Sequence, residues 1–154
     1  MPTRSVIKRV NDIMSSAPKS VHTSTTIEQL LELFDRHDFN AFPVTNAANE
    51  LVGIVTKVDL LRVLRPTEEH DGRVRANTSE MSVGEIMRAS VISVDGEAPI
   101  GVAADAMVET GLRSIPVVLN SGGRPQLVGM VSRGDVIRGF RLAMQDDKGR
   151  TLPQ

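Results

Sequence analysis

The amino-acid sequence repeats itself, and this repeat limits the possible folds more than any other feature. A shift of 73 residues aligns Phe42–Val44 with Ile115–Val117, and a shift of 76 residues aligns Leu51–Thr56 with Leu127–Ser132. The additional residues of the second copy fall in a polar segment between two apolar ones, where insertions are tolerated. Self-similarity of this kind predicts two copies of one small structural unit.

Each copy has the pattern of a short α/β unit. Thr26 and Gln29 have the spacing of a capping box that opens a helix. In the second copy, Pro99 stands near the start of the matching helix and Gly111 near its end. Two short strands follow each helix. A second helix then begins near Val58 in the first copy and near Gly134 in the second. The four predicted strands span residues 41–45, 51–55, 114–119 and 127–131.

The predicted organisation is two packed repeats joined by a linker. A unit of roughly fifty residues buries too little apolar surface to be stable alone, so we expect the copies to pack strand face to strand face. Gly53 and Gly129 interrupt the second strand of each copy, which predicts that another segment approaches the backbone closely. The predicted boundaries are residues 8–65 for repeat 1, 66–79 for a polar linker, 80–144 for repeat 2 and 145–154 for a flexible tail.

Composition excludes several classes of function. The net charge is −1, so no basic surface favours nucleic acid or an anionic membrane. The sequence has no cysteine, which removes thiolate catalysis and cysteine-ligated metals, and it has four Phe but no Trp or Tyr. No nucleophile elbow, Walker-type loop or zinc-protease motif is present, and no leader or transmembrane run is recognisable. We therefore expect a cytoplasmic protein that is not an enzyme and binds neither nucleic acid nor membrane.

The two copies resemble the cystathionine beta-synthase (CBS) domain over residues 8–140. The resemblance rests on the Met14 and Met87 segments, on the Pro-Val strands, and above all on the strings Gly53–Asp59 and Gly129–Asp135. It implies an α/β fold of two tandem βαββα repeats, packed sheet to sheet with pseudo-twofold symmetry. It also implies a regulatory module that senses energy by binding AMP, ADP or ATP between the repeats and acts on a separate partner. S-adenosylmethionine is a less favoured ligand. A ligand-free scaffold for dimerisation or protein interaction is the alternative.

The repeated string supplies groups that suit a nucleotide. The Ser132 hydroxyl lies beside the N–H groups of a helix start, which favours a phosphate. One helical turn later, the Asp135 carboxylate can accept hydrogen bonds from both ribose hydroxyls, and Arg133 adds positive charge. The first copy repeats these groups with Thr56, Lys57 and Asp59.

The resemblance further implies that the adenine base lies on backbone of the other repeat. The Ser132, Arg133 and Asp135 cleft would then be completed by Ser20, Val21, Ala41 and Phe42, and the Thr56, Lys57 and Asp59 cleft by Ile92, Ser93, Ser114 and Ile115. No catalytic residue or metal ligand is expected, because His22, His37 and His70 lack metal-ligand spacing.

We expect the cleft at Asp135 to bind more tightly. Arg133 is a planar fork whereas Lys57 is a point charge, and Gly134 allows closer approach to the backbone. Phe42 is interpreted equally well as an aromatic wall for adenine or as buried core. Arg113 favours the other cleft if its side chain turns inward.

A purely structural interpretation of the same strings stays open. Thr56 with Asp59, and Ser132 with Asp135, have the spacing of helix capping boxes, which need no ligand. The basic residue that follows each hydroxyl is not needed by a cap, and this favours a ligand. Both roles are compatible.

Apolar positions on predicted helices indicate a homodimer. Leu31 lies beside the core stripe of the first helix, and Val136, Phe140 and Met144 recur along the last one. Such stripes usually meet a partner surface.

Overall fold

The computed structural model describes residues 8–65 and 80–150. The predicted linker, residues 66–79, and residues 151–154 of the predicted tail lie outside the described residues. In chain order the elements are α1 (Val10–Ile13), β1 (Ser15–Ser16), β2 (Val21–His22), α2 (Ile27–Arg36), β3 (Ala41–Thr45), β4 (Leu51–Thr56), α3 (Lys57–Leu64), α4 (Val83–Ile86), β5 (Val94–Asp95), α5 (Ile100–Thr110), β6 (Ser114–Ser121), β7 (Arg124–Ser132) and α6 (Arg133–Arg150).

These elements form two compact units, each with its own sheet and helices. Residues 19–91 belong to one, here called the middle unit, and the outer unit combines residues up to Pro18 with those from Ile92 onward. The predicted α/β class is confirmed. The repeat boundaries remain predictions. The packing units cross them, because the first residues of each predicted repeat, 8–18 and 80–91, pack in the unit that holds the rest of the other repeat.

The middle unit contains a three-stranded sheet in the order β2-β3-β4. β2 runs parallel to β3, and β3 pairs antiparallel with β4. The predicted capping box of α2 is present, since the N–H of Gln29 donates to Thr26 Oγ1 at 3.1 Å and the N–H of Thr26 donates to Gln29 Oε1 at 3.0 Å. Its buried core consists of Val21, Ile27, Leu30, Phe42, Val44, Val55, Leu60 and Val83.

The outer unit contains a four-stranded sheet in the order β1-β7-β6-β5. Gly111 ends α5 in the left-handed conformation, as predicted, at a φ of 74°. The turn between β6 and β7 is confined to Gly122 and Gly123, with φ of 61° and 79°, so these strands are longer than predicted. The buried core consists of Val10, Val94, Ala103, Met107, Ile115, Val117, Val131 and Val136.

In the middle unit, the segment after α4 crosses β4 at a glycine. Arg88 exchanges backbone hydrogen bonds with Ile54, at 2.8 and 2.9 Å. A Cβ added to Gly53 would lie 2.5 Å from the Met87 sulfur and 3.0 Å from the Arg88 carbonyl oxygen. Glycine is therefore required for this contact, and the predicted close approach is confirmed.

The outer unit repeats this arrangement with the N-terminal segment. A Cβ added to Gly129 would lie 2.5 Å from the Met14 sulfur and 2.7 Å from the Ser15 carbonyl oxygen. Ser15 pairs antiparallel with Met130, as Arg88 pairs in the middle unit. Ser15 and Arg88 are therefore structural counterparts.

The last helix differs from its prediction in two ways. It extends to Arg150, so residues 145–150 of the predicted tail are helical. Val136 is 5% exposed and belongs to the core, because its side chain faces the sheet of its own unit. The exposed apolar residues that share a face of α6 are instead Ile137, Phe140 and Met144, at 69%, 39% and 62% exposure.

Candidate functional site

In the middle unit, the start of one strand, the end of the next and the start of a helix meet at one edge of the sheet. Thr56 ends β4 directly opposite Ala41, which begins β3. Lys57 begins α3, and its N–H donates to the Asn40 carbonyl at 3.0 Å. We call Ala41, Thr56, Lys57 and Asp59 the middle edge.

The outer unit has the same arrangement. Ser132 ends β7 opposite Ser114, which begins β6. Arg133 begins α6, and its N–H donates to the Arg113 carbonyl at 3.0 Å. Ser114, Ser132, Arg133 and Asp135 form the outer edge. Each unit thus brings the hydroxyl, the basic residue and the carboxylate of one string together.

Both strings form capping boxes. The N–H of Asp59 donates to Thr56 Oγ1 at 3.1 Å, and the N–H of Thr56 donates to Asp59 Oδ2 at 2.9 Å. The matching distances at Asp135 and Ser132 are 3.1 and 2.8 Å. The structural interpretation of the strings is confirmed, and any ligand must bind to groups that remain available beyond the caps.

At the middle edge, donors surround the Asp59 carboxylate. Oδ2 accepts hydrogen bonds from the N–H and the hydroxyl of Thr56, both at 2.9 Å. Oδ1 accepts one from Nε of Arg88 at 3.3 Å and lies 3.8 Å from the Arg62 guanidinium. A carboxylate offers about four acceptor positions; three of them accept hydrogen bonds here, and Arg62 adds an ion pair at 3.8 Å. The Asp59 side chain is 5% exposed.

The Asp135 carboxylate at the outer edge has fewer partners. Oδ2 accepts from the Ser132 N–H at 2.8 Å, and Oδ1 accepts from Arg138 at 3.3 Å. Across the described parts of the chain, these are its only donors, so about half of its acceptor positions remain. Its side chain is 16% exposed, which leaves part of the carboxylate open to solvent.

The Arg133 side chain stabilises the end of a neighbouring helix. Its guanidinium donates to the Gly111 carbonyl at 2.7 Å and to the Leu112 carbonyl at 3.2 Å, at the end of α5. A cation is favourable there because the last carbonyls of a helix are unpaired. The sequence pattern did not predict these bonds, and they reduce the availability of Arg133 for a phosphate.

Three of the predicted apolar site residues have buried side chains. Phe42, Ile115 and Val21 are 1%, 0% and 3% exposed. The Phe42 ring lies 4.8 Å from the Phe34 ring, within the core of the middle unit. The structure therefore supports the core interpretation of Phe42 over the aromatic wall.

The remaining predicted residues precede short strands. Ser20 comes just before β2, and Ile92 and Ser93 come shortly before β5; all three are exposed. Each unit thus carries residues of both predicted clefts. The grouping of these residues into two clefts remains a prediction.

Three arginines near the carboxylates were absent from the predicted site. Arg62 and Arg138 each lie three residues after a site aspartate, an acid–base spacing that the sequence displays and that could have identified them. Arg88 lies 29 residues from Asp59. No local spacing indicates such a contact.

The described residues contain neither a candidate metal cluster nor a candidate membrane span. Within residues 8–65 and 80–150, no group of three or more His, Asp or Glu side chains is placed to hold a metal ion. His37 stacks on Phe39, with ring centroids 5.3 Å apart. None of the helices in that part of the chain combines the length and the apolar character that a bilayer span requires.

The sequence matches a known family over most of its length. Residues 10–66 and 83–141 each match the family model of the CBS domain. The chain therefore belongs to the CBS-domain family and carries two CBS repeats, as the resemblance predicted.

Solved CBS-pair structures share the fold. CBSX2 from Arabidopsis thaliana is 30% identical with a TM-score of 0.71, over 91% of this chain and 96% of that one. CBSX2 has also been solved in complex with AMP. That structure is 28% identical with a TM-score of 0.67, and the match covers 90% of this chain and 98% of the CBSX2 chain. The CBS domain pair of protein MJ0100 was solved with 5′-methylthioadenosine and S-adenosyl-L-methionine. It is 27% identical with a TM-score of 0.65, and the match covers 88% of this chain and 97% of that one.

The curated relatives are longer proteins. L-aspartate semialdehyde sulfurtransferase of Methanocaldococcus jannaschii is 27% identical over 139 residues, which are 90% of this chain but 24% of that protein. The chloroplastic CBS domain-containing protein CBSX1 of Arabidopsis thaliana is 28% identical, and the match covers 77% of this chain and 57% of that protein. The chain therefore spans between a quarter and somewhat over half the length of these relatives.

Proposed function

We propose that this CBS pair is a regulatory module that binds an adenine nucleotide (AMP, ADP or ATP) and modulates a separate partner protein. The observation that carries the proposal is the Asp135 carboxylate, which is partly exposed and keeps acceptor positions beyond its cap. The AMP complex of CBSX2 supports the same class of ligand.

The ribose is the part of the ligand that this carboxylate suits. A ribose presents two hydroxyl donors, and the remaining acceptor positions of Asp135 match that number. Hydrogen bonds to a charged acceptor are stronger than those between neutral groups. Asp135 therefore provides recognition of the cis-diol while Ser132 continues to cap the helix.

The start of α6 suits the phosphate. α6 spans 18 residues and begins at the sheet edge, so its first N–H groups and its dipole favour an anion. Because Arg133 is bonded to carbonyls of α5, the phosphate would be held mainly by backbone N–H groups and the Ser132 hydroxyl.

S-adenosylmethionine is the second candidate ligand. It shares the adenosine group that Asp135 would recognise, and the MJ0100 domain pair was solved with it. It is less favoured because its sulfonium group is cationic, whereas a helix start favours an anion.

The proposal includes no catalysis by this chain. The sequence has no cysteine and none of the motifs of common hydrolases, kinases or zinc proteases. The sulfurtransferase named among the relatives is about four times as long as the matched region, and its activity is a property of that protein.

The proposed module is a homodimer. Ile137, Phe140 and Met144 give α6 an exposed apolar stripe, and Leu31 on α2 is 40% exposed. Exposed apolar side chains of this kind usually meet a partner.

A thermal-shift series tests the proposed function. The chain is melted alone and with AMP, ADP, ATP or S-adenosylmethionine. A ligand that binds only the folded state, at 100 times its Kd, adds about 2.7 kcal/mol to the free energy of unfolding. We expect a higher melting temperature with at least one nucleotide. No shift with any of the four would favour the ligand-free scaffold.

A further inference from the structure

The environments of the two site carboxylates differ chiefly through one residue. Thr56, Asp59 and Arg62 have the counterparts Ser132, Asp135 and Arg138, each 76 positions later in the sequence. The capping distances agree to within 0.1 Å, and an arginine three residues on pairs with each carboxylate. Two differences remain: the Thr56 hydroxyl donates to Asp59, whereas the carboxylate of Asp135 accepts, among the described residues, only from the Ser132 N–H and Arg138, and the segment that crosses the glycine carries Arg88 in the middle unit and Ser15 in the outer unit.

Arg88 is held where it can reach Asp59. Its backbone is bonded to Ile54 at both the N–H and the carbonyl, which fixes the start of its side chain. Its Nε donates to Asp59 Oδ1 at 3.3 Å, while the rest of the side chain is largely exposed. Ser15 occupies the corresponding position beside β7. Its side chain is short and uncharged, so it cannot occupy Asp135 in the same way.

We propose that Arg88 closes the middle edge to adenosine ligands, so that the CBS pair has one high-affinity site, at the outer edge. This inference rests on the proposed function. A ribose at Asp59 would need two acceptor positions, but three already accept hydrogen bonds, and Oδ1 is ion-paired with both Arg88 and Arg62. Binding there must break the Arg88 ion pair, whereas Asp135 Oδ1, in the part of the chain that the structure describes, is paired with Arg138 alone and has no counterpart of Arg88.

Arg88 could in principle have the opposite effect, because a guanidinium also binds phosphate. The contact to Asp59 argues against this role, since an arginine paired with the ribose acceptor neutralises it. The two roles predict opposite effects of removing the side chain, so one substitution separates them.

The test is calorimetric titration of the full chain with AMP. Four proteins are compared: the unmodified chain, Arg88→Ser, Ser15→Arg and the control Arg9→Ser. Arg9 is a matched control because its side chain is 57% exposed and that of Arg88 is 55% exposed. Each arginine forms an ion pair, Arg9 with Glu97 and Arg88 with Asp59. Circular dichroism melting confirms that each variant folds.

The expected result is a reciprocal change. The unmodified chain and Arg9→Ser bind one AMP per chain tightly, with any second site weaker by about tenfold or more. Arg88→Ser gains a second site of comparable affinity. Ser15→Arg weakens the high-affinity site by about tenfold or more. If Ser15→Arg does not fold, Arg88→Ser decides the question alone.

A double variant assigns the new site. Asp135→Ala alone should remove tight binding, and Asp135→Ala with Arg88→Ser should recover one site, at Asp59. Unchanged stoichiometry in Arg88→Ser, or weaker binding there, overturns the role of Arg88 while leaving the proposed function intact. If no AMP, ADP, ATP or S-adenosylmethionine binds to the unmodified chain or to Arg88→Ser, the proposed function itself fails.

Discussion

The middle and outer edges are built from the same string, and yet they offer a ligand different chemistry. Each ends a strand with a hydroxyl, begins a helix with a basic residue and closes a capping box with an aspartate. Asp59 is 5% exposed and accepts three hydrogen bonds, whereas Asp135 is 16% exposed and accepts two, which leaves about half of its acceptor positions. A repeated motif therefore fixes local geometry, while segments distant in sequence decide which groups remain free to bind.

The largest expected effect concerns the two carboxylates. Asp135→Ala removes two hydrogen bonds to the ribose, each worth about 1.5–3 kcal/mol, so AMP affinity should fall by at least about hundredfold. Asp59→Ala should leave the high-affinity site unchanged and lower stability by about 1 kcal/mol through loss of a cap. Calorimetric titration and thermal melting measure these effects.

Asp135→Asn is the matched control for the charge. Its amide oxygen can still accept from the Ser132 N–H, so the cap should persist while ribose binding weakens. If Asp135→Ala lowers the melting temperature without changing the affinity, Asp135 is only a cap and does not bind the ribose.

The crossing segments allow a steric comparison. Gly129→Ala should destabilise more than Gly53→Ala, because the nearest carbonyl oxygen lies 2.7 Å from the new Cβ at Gly129 and 3.0 Å at Gly53. Overpacking of this kind costs about 1–3 kcal/mol, or roughly 2–4 °C in Tm for each kcal/mol. Gly101→Ala is the control, since nothing lies within 4 Å of that Cβ. Equal losses at Gly53 and Gly129 would contradict this ranking.

The last helices of the two units differ in length and in exposed apolar surface. α6 spans 18 residues against eight for α3, so we expect α6 to contribute more to a dimer. Phe140→Ala should weaken dimerisation by about 1–2 kcal/mol. Phe39→Ala is the control, because the Phe39 side chain is 43% exposed and that of Phe140 is 39% exposed. A light-scattering mass near 16.7 kDa for the unmodified chain at micromolar concentration would contradict the dimer.

The smallest expected effect concerns the basic residues. Arg133→Ala should lower stability by about 0.3–1 kcal/mol, because the guanidinium no longer pairs with the α5 carbonyls. Its effect on AMP affinity should be smaller than that of Asp135→Ala. Lys57→Ala is the counterpart at the middle edge. A hundredfold loss of affinity in Arg133→Ala would restore the phosphate role that the sequence pattern favours.

Much of the fold could be predicted because its signals are local. The capping box of Thr26 and the stop at Gly111 depend on neighbouring residues, and both are present as expected. The strand glycines also predicted a close approach, since a missing side chain within a strand needs a reason. The second copy of each signal made a chance match improbable.

The remainder depends on contacts between distant residues. Nothing near Ser15 indicates that it pairs with Met130, and nothing near Arg88 indicates that it pairs with Asp59. Val136 was predicted to be exposed because it lies four residues before Phe140, on nearly the same side of the helix, but its side chain packs in the core of its own unit. The availability of a carboxylate is a tertiary property: the sequence ranked the two clefts from Arg133, Gly134 and Phe42, and it did not indicate the contact of Arg88 with Asp59.

A crystal structure grown with limiting AMP tests the central claim most directly. The chain and AMP are mixed at equal concentrations, so that a high-affinity site fills before a weaker one. The predicted result is nucleotide density beside Asp135, with both ribose hydroxyls bonded to its carboxylate and the Arg88–Asp59 ion pair intact. Density beside Asp59 while Asp135 remains without a ligand would contradict the account.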